Sequence, residues 1–194
     1  MNRNLCTVAR YSHLLEGYTL YASMVLPSLK LNGADISQID GGSATGIKLS
    51  DYNTDIIKEC DMLFVDYNEY ITSLPIYQEV IEQASKLGKE VVLSRELSIK
   101  LNLQPETFTQ TTQAIPESLI DCAVPVISVL TQGSNTNQFA IELALRNHFT
   151  SKGYNVGQVG TYDASQFFGF DTLPSFMNEN RNADQKMLLF KMTI

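Results

Sequence analysis

Pro125-Val-Ile-Ser-Val-Leu130, Thr131-Gln-Gly-Ser-Asn-Thr-Asn-Gln-Phe139 and the apolar-periodic stretch from Ala140 to Lys152 follow one another without a break. Their reading decides the fold. The residues from Pro125 are mostly apolar or β-branched and do not alternate, which suits a parallel strand covered on both faces. The segment 140–152 has the spacing of a helix, with Phe139, Leu143, Ala144 and Leu145 as its apolar face. Glu142 and Arg146 are placed to pair at i,i+4, and Gly153 supplies a left-handed cap. The polar loop between them would leave backbone N–H groups unsatisfied at a helix N-terminus, and such groups attract anions.

That pattern resembles the geometry of a phosphate-binding loop. In GxxxxGK[ST], glycines let the backbone wrap the phosphates, the lysine clamps them and the hydroxyl ligates magnesium. Aligning the helix starts places Asn137, Gln138 and Phe139 where the second glycine, the lysine and the Ser/Thr would stand. Gly133, Ser134, Asn135, Thr136, Asn137 and Gln138 are therefore the candidate nucleotide- or anion-binding residues. The clamping charge and the metal-ligating hydroxyl are replaced, so hydrolysis of a nucleotide is not expected.

Working outward, Tyr154 to Thr161 reads as a strand parallel to 125–130. Asp163-Ala-Ser-Gln-Phe-Phe-Gly-Phe170 gathers Phe167, Phe168 and Phe170, a core or interface cluster that is assigned here to a partner surface. Asn182 to Lys191 is expected to be a helix carrying Met187, Leu188 and Phe190. A layer of only two strands cannot cover both of its faces. The second half is thus expected to be incomplete, its apolar face calling for a partner or for further chain.

The first half alternates strand and helix. Leu5 to Glu16 is predicted as a helix with Leu5, Val8, Ser12 and Leu15 on one face, closed by Gly17, and Tyr18 to Leu26 as a strand ended by Pro27. From Leu29 to Ser50 runs a long glycine-punctuated connection, and connections of that length are usually functional or disordered. There Asp40, Gly41, Gly42 and Ser43 form a candidate secondary loop, a turn presenting N–H groups with Ser43 and Thr45 as hydroxyl donors. Asp51 or Asn53 can cap a short helix through Ile56, Ile57 and Cys60. Asp61 to Asp66 is a buried-type strand with Asp66 at its carboxyl end, where open α/β sheets bind ligands. Pro75 opens a helix with the stripe Ile76, Val80, Ala84 and Leu87, Gly88 ends it, and Lys89 to Ser94 is the next strand, a unit expected to cross over right-handedly. Gln, Thr and Pro then dominate, with a small helical turn expected at 116–121. The expected organisation is a domain over 1–97, a linker over 98–122 and a second domain over 123–194.

The composition sets outer bounds. A chain of 194 residues, 44% of them hydrophobic, can build one large or two small cores. Lys and Arg total 14 against 21 acidic residues, a net charge of −7 with no basic cluster, which argues against nucleic acid as a partner. No apolar run is long enough for a membrane span and no secretion signal is recognisable, so a cytoplasmic location is expected. Cys6, Cys60 and Cys122 are far apart and read as ordinary thiols, with no metal site. His13 and His148 stand on predicted helices as polar surface residues. No catalytic residue can be assigned, because no nucleophile–base arrangement or carboxylate pair is set by spacing.

The segments Leu31 to Asp35, Asp40 to Lys48, Val124 to Leu130, Gly133 to Phe139, Leu143 to Arg146 and Gly153 to Gly160 resemble the clostridial peptide maturation system protein family. Asp163 to Phe170 and Pro174 to Met177 continue the likeness. The resemblance implies two small three-layer-type parallel-sheet α/β units, a Rossmann-like N-terminal half and an incomplete P-loop-like C-terminal half, distantly similar to dethiobiotin synthetase. It implies a bacterial accessory protein in the biosynthesis of a ribosomally synthesised, modified peptide. On that reading the chain is a binding or scaffold module with a degenerate phosphate-binding loop and no cofactor. Its partner would be the precursor peptide, a neighbouring maturation enzyme or a carrier protein, and a homo-oligomer is allowed. Members of the family tend to carry lysine at the position of Gln138, to start one strand earlier and to run past residue 194, so the chain is expected to be trimmed at both ends. The alternative is a kinase- or ligase-like enzyme using ATP or GTP at 131–139, with magnesium on Asp66 or Asp163. A dinucleotide site on Gly41, Gly42 and Gly46 is a third reading, weakened by the absence of GxGxxG.

Overall fold

The computed structural model describes residues 3–68, 71, 73–103, 124–130, 138–160 and 162–170. The chain divides into two compact units, Met1–Glu106 and Thr107–Ile194.

The first unit is mixed helix and strand with small parallel sheets. It runs α1 (Arg3–Arg10), a 3-10 turn (Ser12–Leu14), β1 (Ser23–Val25), a 3-10 turn (Pro27–Leu29), α2 (Ser37–Asp40) and β2 (Leu49–Asp51). It continues through α3 (Thr54–Glu59), β3 (Met62–Val65), α4 (Leu74–Lys86), β4 (Glu90–Leu93) and α5 (Arg95–Lys100). β1 pairs with β2 in parallel from Ser23–Leu49 to Val25–Asp51, and β3 with β4 from Met62–Glu90 to Val65–Leu93. Side chains alternate across a strand, and β1 uses this to serve two cores. Val25 joins Cys6, Ala9, Ile36 and Leu49, whereas Met24 packs on Ile57, Leu63 and Ala84.

Local signals explain most of these elements. Asn53 accepts the Asp55 N–H at 2.8 Å and so starts α3. Pro75 sits in the first turn of α4, Gly88 follows it at φ +69°, and Val80, Ala84 and Leu87 face the core as the stripe predicts. Tyr77 is buried on the same helix, beside the expected Ile76. α1 departs from expectation. It ends at Arg10 rather than reaching Glu16, and its buried residues are Cys6 and Ala9, not Leu5, Val8 and Leu15. Their small side chains let the helix approach Ile36 and Leu49. The strand expected over Tyr18–Leu26 is confined to Ser23–Val25, because its partner β2 is equally short; Tyr18 and Tyr21 are exposed.

The expected linker begins inside a helix. Ser94 caps α5 by accepting the Leu97 N–H at 3.3 Å, and Ser98, buried, donates to the Ser94 carbonyl at 3.1 Å. The division between units falls at Glu106, and the expected linker beyond Leu103 lies outside the described residues.

In the second unit, α6 spans Gln138–Ser151, starting two residues before the predicted Ala140, and Gly153 follows it at φ +84°. Among the described residues the two predicted strands are reduced to a single β-bridge residue, Val159. Neither 125–130 nor the described part of 154–161 forms a strand, and the first, expected to be covered on both faces, leaves Val126 48%, Ile127 60% and Leu130 89% exposed. A β-prone composition makes a strand only where a neighbouring strand takes up its backbone groups. The 154–160 segment is instead laid against α6, Tyr154 N–H donating to the Phe149 carbonyl at 3.2 Å and Gln158 Nε2 to the Glu142 carbonyl at 2.9 Å.

The phenylalanine cluster also departs from its assignment. A 3-10 turn (Asp163–Phe168) folds Phe167, Phe168 and Phe170 inward, Phe168 to 1% exposure. Phe139 meets Tyr162 and Phe168 edge-on at 5.3 and 5.2 Å. A Cβ on Gly160 would lie 2.6 Å from the Phe170 ring and 2.7 Å from Ser165, so the segments can close only over glycine. These rings are the core of the unit, not a partner surface. The predicted helices at 116–121 and 182–191, and Cys122, lie outside the described residues, among which no helix is long and apolar enough to cross a membrane.

Candidate functional site

The loop that drew attention in the sequence is reached through Gln138; Gly133, Ser134, Asn135, Thr136 and Asn137 lie outside the described residues. Gln138 opens α6, and its Nε2 donates to Glu142 Oε1 at 2.8 Å and to the Val129 carbonyl at 3.3 Å. The amide standing where a phosphate loop carries its lysine is thus engaged by the protein. Glu142 is 8% exposed, between the buried Phe139 and Leu143. Burial pushes its carboxyl above the ordinary range, outweighing the Gln138 hydrogen bond that favours the anion. Arg146, the expected i,i+4 partner of Glu142, donates to the Phe168 carbonyl. The described start of α6 therefore presents a neutral amide and an acid, an electrostatic setting unlike one that clamps a triphosphate.

The secondary loop is assembled, and its donors are turned inward. Arg10 brings α1 to it, Nη2 meeting the Asp40 carboxylate at 2.8 and 3.1 Å and Nη1 the Ser43 carbonyl at 2.7 Å. Gly41 takes φ +71° at the end of α2, and the Gly42 N–H donates to Asp40 Oδ1 at 2.8 Å. Asp35, which sequence reasoning passed over, accepts from the N–H groups of Ser37 at 2.9 Å, Gly46 at 2.8 Å and Thr45 at 3.2 Å. Ser37 first, then Gly46 and Thr45, hold its carboxyl far below the usual range. Within the expected turn the Gly42 N–H is thus taken up by Asp40 and the Gly41 N–H by the Ser37 carbonyl, while Asp35 takes up those of Thr45 and Gly46 beyond it.

A third place gathers polar groups, at the carboxyl ends of β3 and β4 where ligands enter open α/β sheets. Asn68, Ser94, Arg95 and Ser98 are all buried there. The Tyr67 N–H donates to Asp66 Oδ1 at 2.7 Å, and the Asn68 N–H to the Tyr77 hydroxyl at 3.0 Å. Burial raises the Tyr77 phenol, and Lys100 Nζ sits 4.3 Å from the centre of the Tyr67 ring. The sequence pointed to Asp66 by its position alone. Asn68, Ser94 and Arg95 were missed; the one available signal was a polar Ser-Arg-Glu run directly after a buried-type strand. Ser94 accepts from Leu97 N–H as a helix cap, which leaves it poorly placed to act as a nucleophile.

Among the described residues no group of His, Cys, Asp and Glu is arranged as a metal site. His13 and His148 are exposed, in a 3-10 turn and in the last turn of α6. Asp66 stands in the first unit and Asp163, at the start of its 3-10 turn, in the second. The remaining feature is the uncharged, exposed run from Val124 to Leu130, in a unit that also exposes Ile141 and Tyr154. No family model, no curated protein and no solved structure matches the chain.

Proposed function

We propose that this chain is a cytoplasmic accessory module that binds a partner during the maturation of a ribosomally synthesised, modified peptide, without turning over a nucleotide. Three partners fit that role: the precursor peptide, a neighbouring maturation enzyme or a carrier protein. The setting rests on the resemblance of the motif order to that of the peptide maturation family. The strand–helix alternation of the first unit supports a Rossmann-like ancestry, and the degenerate loop before α6 a phosphate-binding ancestor that lost its clamp.

The observation that carries binding over catalysis is the Val124–Leu130 run, β-prone, uncharged and exposed, outside any sheet of the described residues. Such a run can add a partner's strand, main-chain bonds giving affinity and alternate side chains selectivity. On the other side, Gln138 is held between Val129 and Glu142. The test is co-purification of the chain with the products of neighbouring genes, followed by titration of whichever one associates. Ile127→Asp should weaken that association by about tenfold or more, the effect of a charge in an apolar contact of roughly 1.4 kcal/mol. If no neighbour associates, or if the Ile127→Asp chain binds as well as the original, the reading fails.

A further inference from the structure

Glu142 is the only ionisable side chain between Cys122 and Arg146, and it is buried. A carboxyl group in that position is expensive to ionise unless a cation or several donors meet it. The donor its carboxyl group meets is the neutral amide of Gln138, and that same nitrogen reaches the Val129 carbonyl. One side chain therefore ties the carboxyl of Glu142 to the backbone of the exposed run. Glu142 is also tied through its own carbonyl, which accepts from Gln158.

We propose that Glu142 and Gln138 form a proton-dependent latch between α6 and the 124–130 run, closed while Glu142 is protonated and loosened when it ionises. The amide bond to Gln138 by itself favours the anion, but loss of water around the carboxylate acts in the opposite sense and dominates. Ionisation thus drives the carboxylate toward solvent and takes away an acceptor that helps to orient Gln138. Val129 then loses the donor that anchors its carbonyl. The charged and titratable groups in the described segments of this unit are few. On α6 and its end they are Arg146, which donates to the Phe168 carbonyl, with exposed His148 and Lys152. The 124–130 run carries none, the 154–160 segment carries Tyr154, and the 162–170 segment carries Tyr162 and half-buried Asp163. The latch goes beyond the binding role and does not depend on it, since opening can be read with no partner present.

Hydrogen exchange of the full chain, corrected for intrinsic rates, tests this. Protection of the amides at 138–146 and of the Val129–Leu130 region should fall by about tenfold across the titration of Glu142, as expected where a local opening replaces a closed contact. Glu142→Gln should remove that pH dependence and keep the protected level throughout. A carbon-13 titration of the Glu142 carboxyl in the unaltered chain keeps the test sound if the variant folds poorly. Its midpoint should lie above that of an ordinary glutamate and coincide with the exchange transition. A midpoint at or below the ordinary value, or an exchange profile unchanged in Glu142→Gln, overturns the latch.

Discussion

Asp35 in the first unit is a half-buried carboxylate and Glu142 in the second a buried one, and their surroundings move them in opposite directions. Asp35 receives backbone N–H groups from Ser37, Thr45 and Gly46 and is held as an anion. Glu142 receives one neutral amide in an apolar setting and is pushed toward its acid form. The difference teaches that the balance of donors against burial decides whether an acid fastens a fold or leaves it responsive. The loop around Asp35 and Asp40 is closed on itself, whereas the start of α6 retains an acid with one donor beside an exposed run.

The comparison breaks most readily if the second unit lacks a true core. Phe168 packs edge-on against Phe139 and is nearly inaccessible. Phe168→Ala should destabilise that unit by roughly 3–5 kcal/mol, the usual loss for a large ring removed from a packed interior. Denaturant unfolding followed by a probe in each unit would show it, the midpoint of the first unit staying in place. A loss well under roughly 1 kcal/mol would mean that the rings are not packed as described.

Asp35 supplies the next effect. Its folded titration is depressed, so its contribution to stability is fully present above the unfolded aspartate value of 3.8 and is lost as pH falls below it. Asp35→Asn should lower the melting temperature of the first unit at neutral pH and flatten its acid limb. Glu142 has the opposite sign. Its raised folded value means that its contribution is fully present below the ordinary glutamate value and is lost as pH rises through the raised folded value. Thermal melts of Asp35→Asn and Glu142→Gln from acid to neutral pH should therefore diverge, the first variant less stable than the unaltered chain at neutral pH and the second more stable.

How much of this was legible in the sequence follows from how local each determinant is. The β3–α4–β4 unit could be read because Pro75, Gly88 and the stripe Val80, Ala84 and Leu87 act within a few residues of one another. Asn53 capped its helix for the same reason. The run at 125–130 misled, because β-branched residues record a preference for strands and not the presence of a neighbouring strand. The phenylalanine cluster misled in the other sense: Phe167, Phe168 and Phe170 look alike in sequence whether they face a partner or the interior of their own unit. Asp35 escaped notice since two of its donors arrive from Thr45 and Gly46, across the loop. At the β3–β4 edge Asp66 was visible by position, while Asn68, Ser94 and Arg95 are buried by contacts that no short window contains.

The smallest expected effect concerns the lost phosphate clamp, and it separates ancestry from present use. Calorimetry of the unaltered chain with ATP and magnesium should give no binding heat, because Gln138 is neutral and already engaged. Gln138→Lys restores the charge that a phosphate loop uses, yet the new ammonium would lie at i,i+4 from Glu142, the spacing at which opposite charges pair on a helix. The lysine would then be neutralised by the buried acid and should recover little affinity. Gln138→Lys combined with Glu142→Gln frees the lysine, and the double variant should bind ATP more tightly than the single one. Equal, absent binding in both would show that the loop lacks the backbone geometry for phosphate. Binding by the unaltered chain would reverse the functional reading in favour of a nucleotide-dependent enzyme and make the pairing of Gln138 with Glu142 a contact that ATP must displace.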